Sequence, residues 1–203
     1  MAHPVIYLKK NEDKRLRKGH LWVFSNEVDT QRSPLDAFTP GDLAQVHSAD
    51  GKCMGTAYVN PGALICARLL SRKANLKCGA NFFKERLATA LSLREKLFDK
   101  PYYRLVFGES DGLPGLVIDR FGSVLALQIT TAGMELRKES LVAALIEVLA
   151  PEAIVLKNDN SQRQLEGLSL ESEVVYGTIP DPLIIEENGA RFRIDIVDGQ
   201  KTG

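Results

Sequence analysis

The densest chemistry in the sequence is Lys9-Lys10-Asn11-Glu12-Asp13-Lys14-Arg15-Leu16-Arg17-Lys18-Gly19-His20, which sets six lysine or arginine cations against two carboxylates. It runs directly into Leu21-Trp22-Val23-Phe24. Cations neutralise phosphates and aromatic rings stack on bases, so the two features together fit recognition of single-stranded or looped RNA. Lys9, Lys14, Arg15, Arg17, Lys18 and His20 are the candidate phosphate contacts, followed by Arg68, Arg72 and Lys73. The aromatic pair also has a plainer reading. Large rings are usually buried, so Trp22 and Phe24 are expected in the hydrophobic core.

Two other polar stretches invite a chemical reading. Glu109-Ser110-Asp111-Gly112-Leu113-Pro114-Gly115-Leu116-Val117-Ile118-Asp119-Arg120-Phe121-Gly122 holds three carboxylates, a number that suits acid–base work or a metal. Its glycines, its proline and Asp111 equally suit a hairpin turn, and with no histidine partner and no calcium-loop spacing the structural reading is preferred. A hydrolase built on Glu109, Asp111 and Asp119 would require those side chains to share a cleft. In Lys157-Asn158-Asp159-Asn160-Ser161-Gln162-Arg163-Gln164-Leu165-Glu166, a polar loop capping a short helix, Arg163 either meets a phosphate or pairs with Glu166. His3, His20 and His47 stand apart from one another, without a nucleophile elbow, zinc motif, P-loop or dinucleotide fingerprint. Cys53, Cys66 and Cys78 have no CxxC spacing to suggest zinc or redox chemistry and read as reduced, mostly buried small hydrophobes.

The elements that must position these residues are set by hydrophobic period. Short β-type runs over 5–8, 22–28, 42–47, 54–59 and 63–70, punctuated by Pro-Gly-Asp, Ala-Asp-Gly and Asn-Pro-Gly, predict a small closed or partly closed barrel. Phe82, Phe83, Leu87, Ala90, Leu91, Leu97 and Phe98 recur at helical steps and predict an amphipathic helix over 80–99. Strands are expected at 102–107, 116–119, 124–130 and 153–157, with a second helix over 134–149 ended by Pro151. Asn188-Gly189 between runs at 183–187 and 191–197 predicts a hairpin. The fold class is therefore α+β, a small β-barrel followed by an α/β central domain and a β-hairpin. Its boundaries are 1–75 for the barrel, 76–180 for the central domain, and 181–203 for the hairpin and the start of a further domain.

A formal net charge of zero, 26 Lys+Arg against 26 Asp+Glu, argues against a nucleic-acid binder until the chain is divided. Residues 1–104 carry 18 cations and 10 acids and residues 105–203 carry 8 and 16, so halves of +8 and −8 cancel. Only the first half suits a polyanion. No apolar run nears the roughly 20 residues of a membrane span and the N-terminus lacks signal-peptide order, which points to a cytoplasmic protein.

Three stretches together resemble a known family. Arg15-Leu16-Arg17-Lys18-Gly19-His20-Leu21-Trp22-Val23-Phe24-Ser25, then the 109–121 turn, then Asp198-Gly199-Gln200-Lys201-Thr202-Gly203 are similar, in order and spacing, to bacterial S-adenosylmethionine-dependent 23S ribosomal RNA (cytosine-5-)-methyltransferases with an N-terminal PUA domain. The resemblance implies a PUA-like barrel, a central domain, and a chain that ends before the catalytic domain. It implies S-adenosylmethionine as cofactor of the full-length protein, with none expected on these 203 residues and no catalytic residue among them. The implied partner is ribosomal RNA, no membrane is implied, and a homodimer is one assembly open to it. A stand-alone PUA-type RNA-binding or assembly module is the alternative.

Overall fold

Short aliphatic runs cut by tight turns cannot make long strands, and in the computed structural model, which describes residues 2–197 and 199, they form one five-stranded sheet. Its strands are β1 (Val5–Tyr7), β2 (Trp22–Phe24), β3 (Leu43–His47), β4 (Cys53–Val59) and β5 (Ile65–Ser71) in the order β1-β3-β4-β5-β2. β1 runs parallel to β3 and the other pairs are antiparallel. After β2 the backbone bends through a 3₁₀ turn at Ser25–Glu27, not the longer strand expected to 28, and returns to the far edge. There Lys9 N donates to Glu27 O at 2.9 Å, Asp29 N donates to Tyr7 O at 2.8 Å, and Leu8 bridges Val28. The two edges thus meet through a partial seam, a partly closed barrel that leaves few open strand groups.

The barrel interior is narrow and filled by small and branched side chains, among them Ile6, Leu8, Val23, Val46, Ala57, Val59, Ala67 and Leu69. The first compact unit runs to Lys77 and takes in two later segments, Thr131–Leu136 and Leu165–Leu168. Thr131 Oγ1 lies 3.0 Å from Tyr58 Oη, and Glu166 accepts from Asn60 Nδ2 at 2.7 Å and from Ala132 N at 3.3 Å. The unit is therefore discontinuous in sequence. Partnered polar groups inside it hold the added segments, as buried polar atoms require.

The second unit comprises Cys78–Thr130, Arg137–Gln164 and the chain from Ser169 on. It carries a five-stranded sheet of β6 (Tyr102–Phe107), β7 (Leu116–Phe121), β8 (Val124–Ile129), β9 (Ala153–Asn158) and β10 (Glu171–Gly177), in the order β10-β9-β8-β7-β6. Helices α2 (Ala80–Leu97) and α4 (Lys138–Leu149) pack on each other. Phe82, Phe83, Leu87 and Ala90 form the buried stripe of α2, as the helical period requires. Leu97 and Phe98 do not join it: both are exposed, and Phe98 already lies in extended backbone past the helix end. The helix expected over 134–149 is two pieces, α3 (Ala132–Glu135) and α4, with an exposed Leu136 between them. β10 was not expected; as an edge strand with most of its residues exposed it shows no apolar alternation.

The hairpin forms as β11 (Ile184–Glu187) and β12 (Ala190–Arg193), the second strand starting one residue earlier and ending four earlier than expected. Asn188 and Gly189 both have positive φ, 50° and 81°, the mirror-image turn that suits strand twist.

Candidate nucleic-acid interface

The cation cluster folds as a single helical turn, α1 (Lys14–Arg17), with Leu16 as its one buried residue. A leucine pinned into the barrel core between cations leaves the cations to point outward. Gly19, at φ 104°, lets the chain reverse directly into β2. Arg72 Nη2 donates to His20 O at 3.1 Å and holds this corner. Lys14, Lys18 and His20 are exposed, and neither lysine has a carboxylate within ion-pair distance among the described residues. Lys9 is exposed with its ammonium on Asn26 O at 2.9 Å, and Arg72 and Lys73 are exposed as well.

The other three candidate arginines are held by carboxylates. Arg15 pairs with Glu27 at 3.0 Å, Arg17 pairs with Asp13, and Arg68 lies 3.6 Å from Glu166 with both side chains nearly buried. Each of the three thus already has a carboxylate beside it, and Arg15 and Arg17 remain partly exposed.

The expectation that Trp22 and Phe24 lie in the core is overturned. Trp22 is 37% exposed and Phe24 is half-buried, while Val23 between them is fully buried. Strand period sets one face inward, and the interior takes the smaller valine. The outward rings are framed by arginines. Arg68 sits 5.4 Å from the Trp22 centroid across the β2–β5 pair, Arg15 sits 4.8 Å over Phe24, and the two rings meet edge-on at 6.5 Å. Glu27 fixes this arrangement by accepting from both Arg15 and the Phe24 amide at 2.8 Å. The signal available in the sequence was the alternation itself, with aromatic residues flanking one small apolar residue.

The carboxylate turn is structural. Asp111 takes both terminal nitrogens of Arg94 at 2.7 and 2.8 Å and the Phe107 amide at 2.6 Å. Asp119 takes Arg104 at 2.8 and 3.1 Å, and this hydrogen bond holds the guanidinium above its ordinary pKa. Two acids each clamped by its own arginine are not a catalytic pair. No cluster of three or more metal-ligating side chains occurs among the described residues.

Arg163 is buried, which does not suit the phosphate contact read from the sequence. It is 1% exposed and donates to Ile129 O and to Ser169 O at 2.8 Å, beside Glu171 at 3.7 Å. Burial pushes the Cys66 thiol up to about 12 and the Cys78 thiol up to about 11, which removes both as nucleophiles near neutrality.

The approach to Gly133 in α3 is filled by the Tyr58 ring, which occupies the place a Cβ would take, and the Arg86 guanidinium covers Gly112. Gln200, Lys201, Thr202 and Gly203, in the stretch similar to the segment leading into a catalytic domain, lie outside the described residues, as does Asp198.

Residues 6–72 match the family model for a PUA-like domain, and the barrel is a PUA-like domain. The chain as a whole is similar to proteins named Ribosomal RNA large subunit methyltransferase I: 36% identical over 202 residues to that of Aliivibrio fischeri (strain ES114) and 39% over 202 residues to that of Erwinia tasmaniensis. Each alignment covers 98% of this chain and 50% of the relative, so the chain spans about half the length of the curated relatives it matches. Two solved structures share the fold. One, from Streptococcus mutans and described as a SAM-dependent methyltransferase, has a TM-score of 0.77 at 20% identity over 97% of this chain and 49% of its own. The other, SMU.776, was solved with SAH and has a TM-score of 0.78 at 19% identity over 98% and 49%. No helix among the described residues is long and apolar enough to cross a membrane.

Proposed function

We propose that this chain holds ribosomal RNA for an S-adenosylmethionine-dependent methyltransferase that modifies cytosine at C5. Similarity across half the length of the ribosomal RNA large-subunit methyltransferases supports the enzyme class. The observation that carries the RNA role is the exposed basic turn on the PUA-like barrel, where Lys14 and Lys18 stand outward around the buried Leu16. Lys9, Lys14, Lys18, His20, Arg72 and Lys73 contact phosphates, while Arg15, Arg17 and Arg68 position the surface. The catalytic cysteine and the donor site belong to residues other than those described, and the role of this chain is to orient the RNA.

The test is a titration of the chain with ribosomal RNA pieces at several salt concentrations. Binding whose logarithm falls linearly with the logarithm of salt is expected. No binding at low salt refutes the reading. Calorimetry with S-adenosylmethionine alone is expected to show no heat of binding at micromolar donor, and a clear micromolar isotherm would contradict the assignment of the donor site elsewhere.

A further inference from the structure

The least expected placement in the barrel is that of Trp22. It is the only tryptophan in 203 residues, and it sits on an edge strand with 37% of its surface in solvent, although burying such a ring is ordinarily among the strongest contributions a core receives. Its neighbours are ordered and not merely near. Arg68 lies over the ring and is held by Glu166; Phe24 stands edge-on on the same strand face; Arg15 lies over Phe24 and is held by Glu27. The Trp22 ring is thus packed against ordered neighbours and already set in place. Ordering it on binding therefore costs little.

The charge around it selects the occupant. His20 is two residues before Trp22, and the basic turn of Lys14 and Lys18 leads into it through Gly19. An apolar protein partner would have no use for that surplus of cations, whereas a nucleotide matches both parts, its base to the rings and its phosphate to the lysines. A duplex keeps its base faces stacked within itself and cannot present one to a ring.

We propose that Trp22, backed by Phe24, Arg15 and Arg68, is a stacking platform for one unpaired RNA base, so that this face of the barrel selects single-stranded or looped RNA over duplex. The proposal rests on the RNA-holding role proposed above and names the substrate class within it. The flanking phosphates fall to Lys14 and Lys18. Arg15 and Arg68 hold the rings and are positioning residues.

The lone tryptophan makes the test direct. The intact chain is titrated with an unpaired oligoribonucleotide of mixed sequence and with a duplex of equal length. Intrinsic fluorescence and the anisotropy of end-labelled RNA are read in parallel. The unpaired RNA is expected to quench Trp22 saturably, with the same midpoint as anisotropy, and the duplex to leave the fluorescence unchanged. Trp22→Ala is expected to weaken unpaired RNA about 10-fold, the size of one lost base–aromatic stack, and to leave duplex binding unaltered. Trp22→Phe, which keeps a ring in a well-folded strand, is expected to retain most of the affinity. If RNA binds with its salt dependence intact but Trp22 is not quenched, or if Trp22→Ala binds like the unaltered chain, stacking is overturned and the RNA-holding role stands. Equal quenching by duplex also overturns it. If neither RNA binds, it is the RNA-holding role that falls.

Discussion

Replacing Lys14 and Lys18 together by alanine separates the exposed cations from the compensated ones. The two side chains are four residues apart on and just after α1, both are exposed, and neither meets a carboxylate among the described residues. Each should release its own counterions when it reaches a phosphate. For single-stranded nucleic acid each such contact adds about 0.7 to the salt slope, so losing two flattens it by about 1.4. Over a fourfold rise in salt, from about 50 to about 200 mM, the double variant should lose about 7-fold less affinity than the unaltered chain does. Arg15→Ala and Arg17→Ala are poor tests of the same idea: each would strip the partner from a largely buried acid, Glu27 or Asp13, and so disturb the fold. The assay is anisotropy of a labelled ribosomal RNA oligonucleotide at four or more potassium chloride concentrations, with circular dichroism to show that the variant is folded. An unchanged slope in a folded Lys14→Ala/Lys18→Ala protein would refute the placement of phosphates on this turn.

Three further outcomes concern groups in the second unit and the barrel core. Arg163→Ala strands the carbonyls of Ile129 and Ser169 in a site that is 1% exposed, and should cost about 3–5 kcal/mol in urea unfolding; a loss under about 1 kcal/mol would mean that water replaces the guanidinium. Burial opposes ionisation of Glu171, but the Asn158 hydrogen bond and the charges of Lys138 and Arg163 outweigh it and hold the carboxyl below its ordinary 4.5. A lowered folded-state pKa gives stability that is present above the unfolded value and lost on acidification, so unfolding midpoints should fall as pH drops through and below about 4.5. Glu171→Gln should flatten that dependence, and an identical acid profile would remove the cause assigned. Cys66 and Cys78, with thiols raised to about 12 and about 11, should resist iodoacetamide at mildly alkaline pH in the folded chain and react on denaturation, as read by peptide mass spectrometry; rapid native-state labelling of Cys66 would show that its site opens.

Particular residues show where sequence reasoning succeeds and where it stops. The α2 stripe from Phe82 to Ala90 and the Asn188-Gly189 hairpin were legible because local period and local turn chemistry decide them. The ends of elements were less so. Leu97 carries the right residue type for the helix stripe but is exposed, and Arg94 on that stripe is paired with Asp111, a partner 17 residues on. β10 was invisible because an edge strand needs no apolar face, only the β9 backbone beside it. Arg163, in a polar loop, invited a phosphate contact, yet it is buried and donates to backbone carbonyls of the second unit, a placement that distant residues decide.

The sequence by itself determined the α+β class, most of the strands and the long helix α2, and the basic turn ahead of β2, because period, breakers and charge density are properties of neighbouring residues. Tertiary structure alone decided which face of β2 looks outward. Alternation puts Trp22 and Phe24 together and opposite Val23, but does not say which set is inside. The partly closed barrel resolves it by volume: an interior already filled by Ile6, Leu8, Val46 and Ala57 accepts the valine and leaves the rings outside, where Arg15 and Arg68 can reach them.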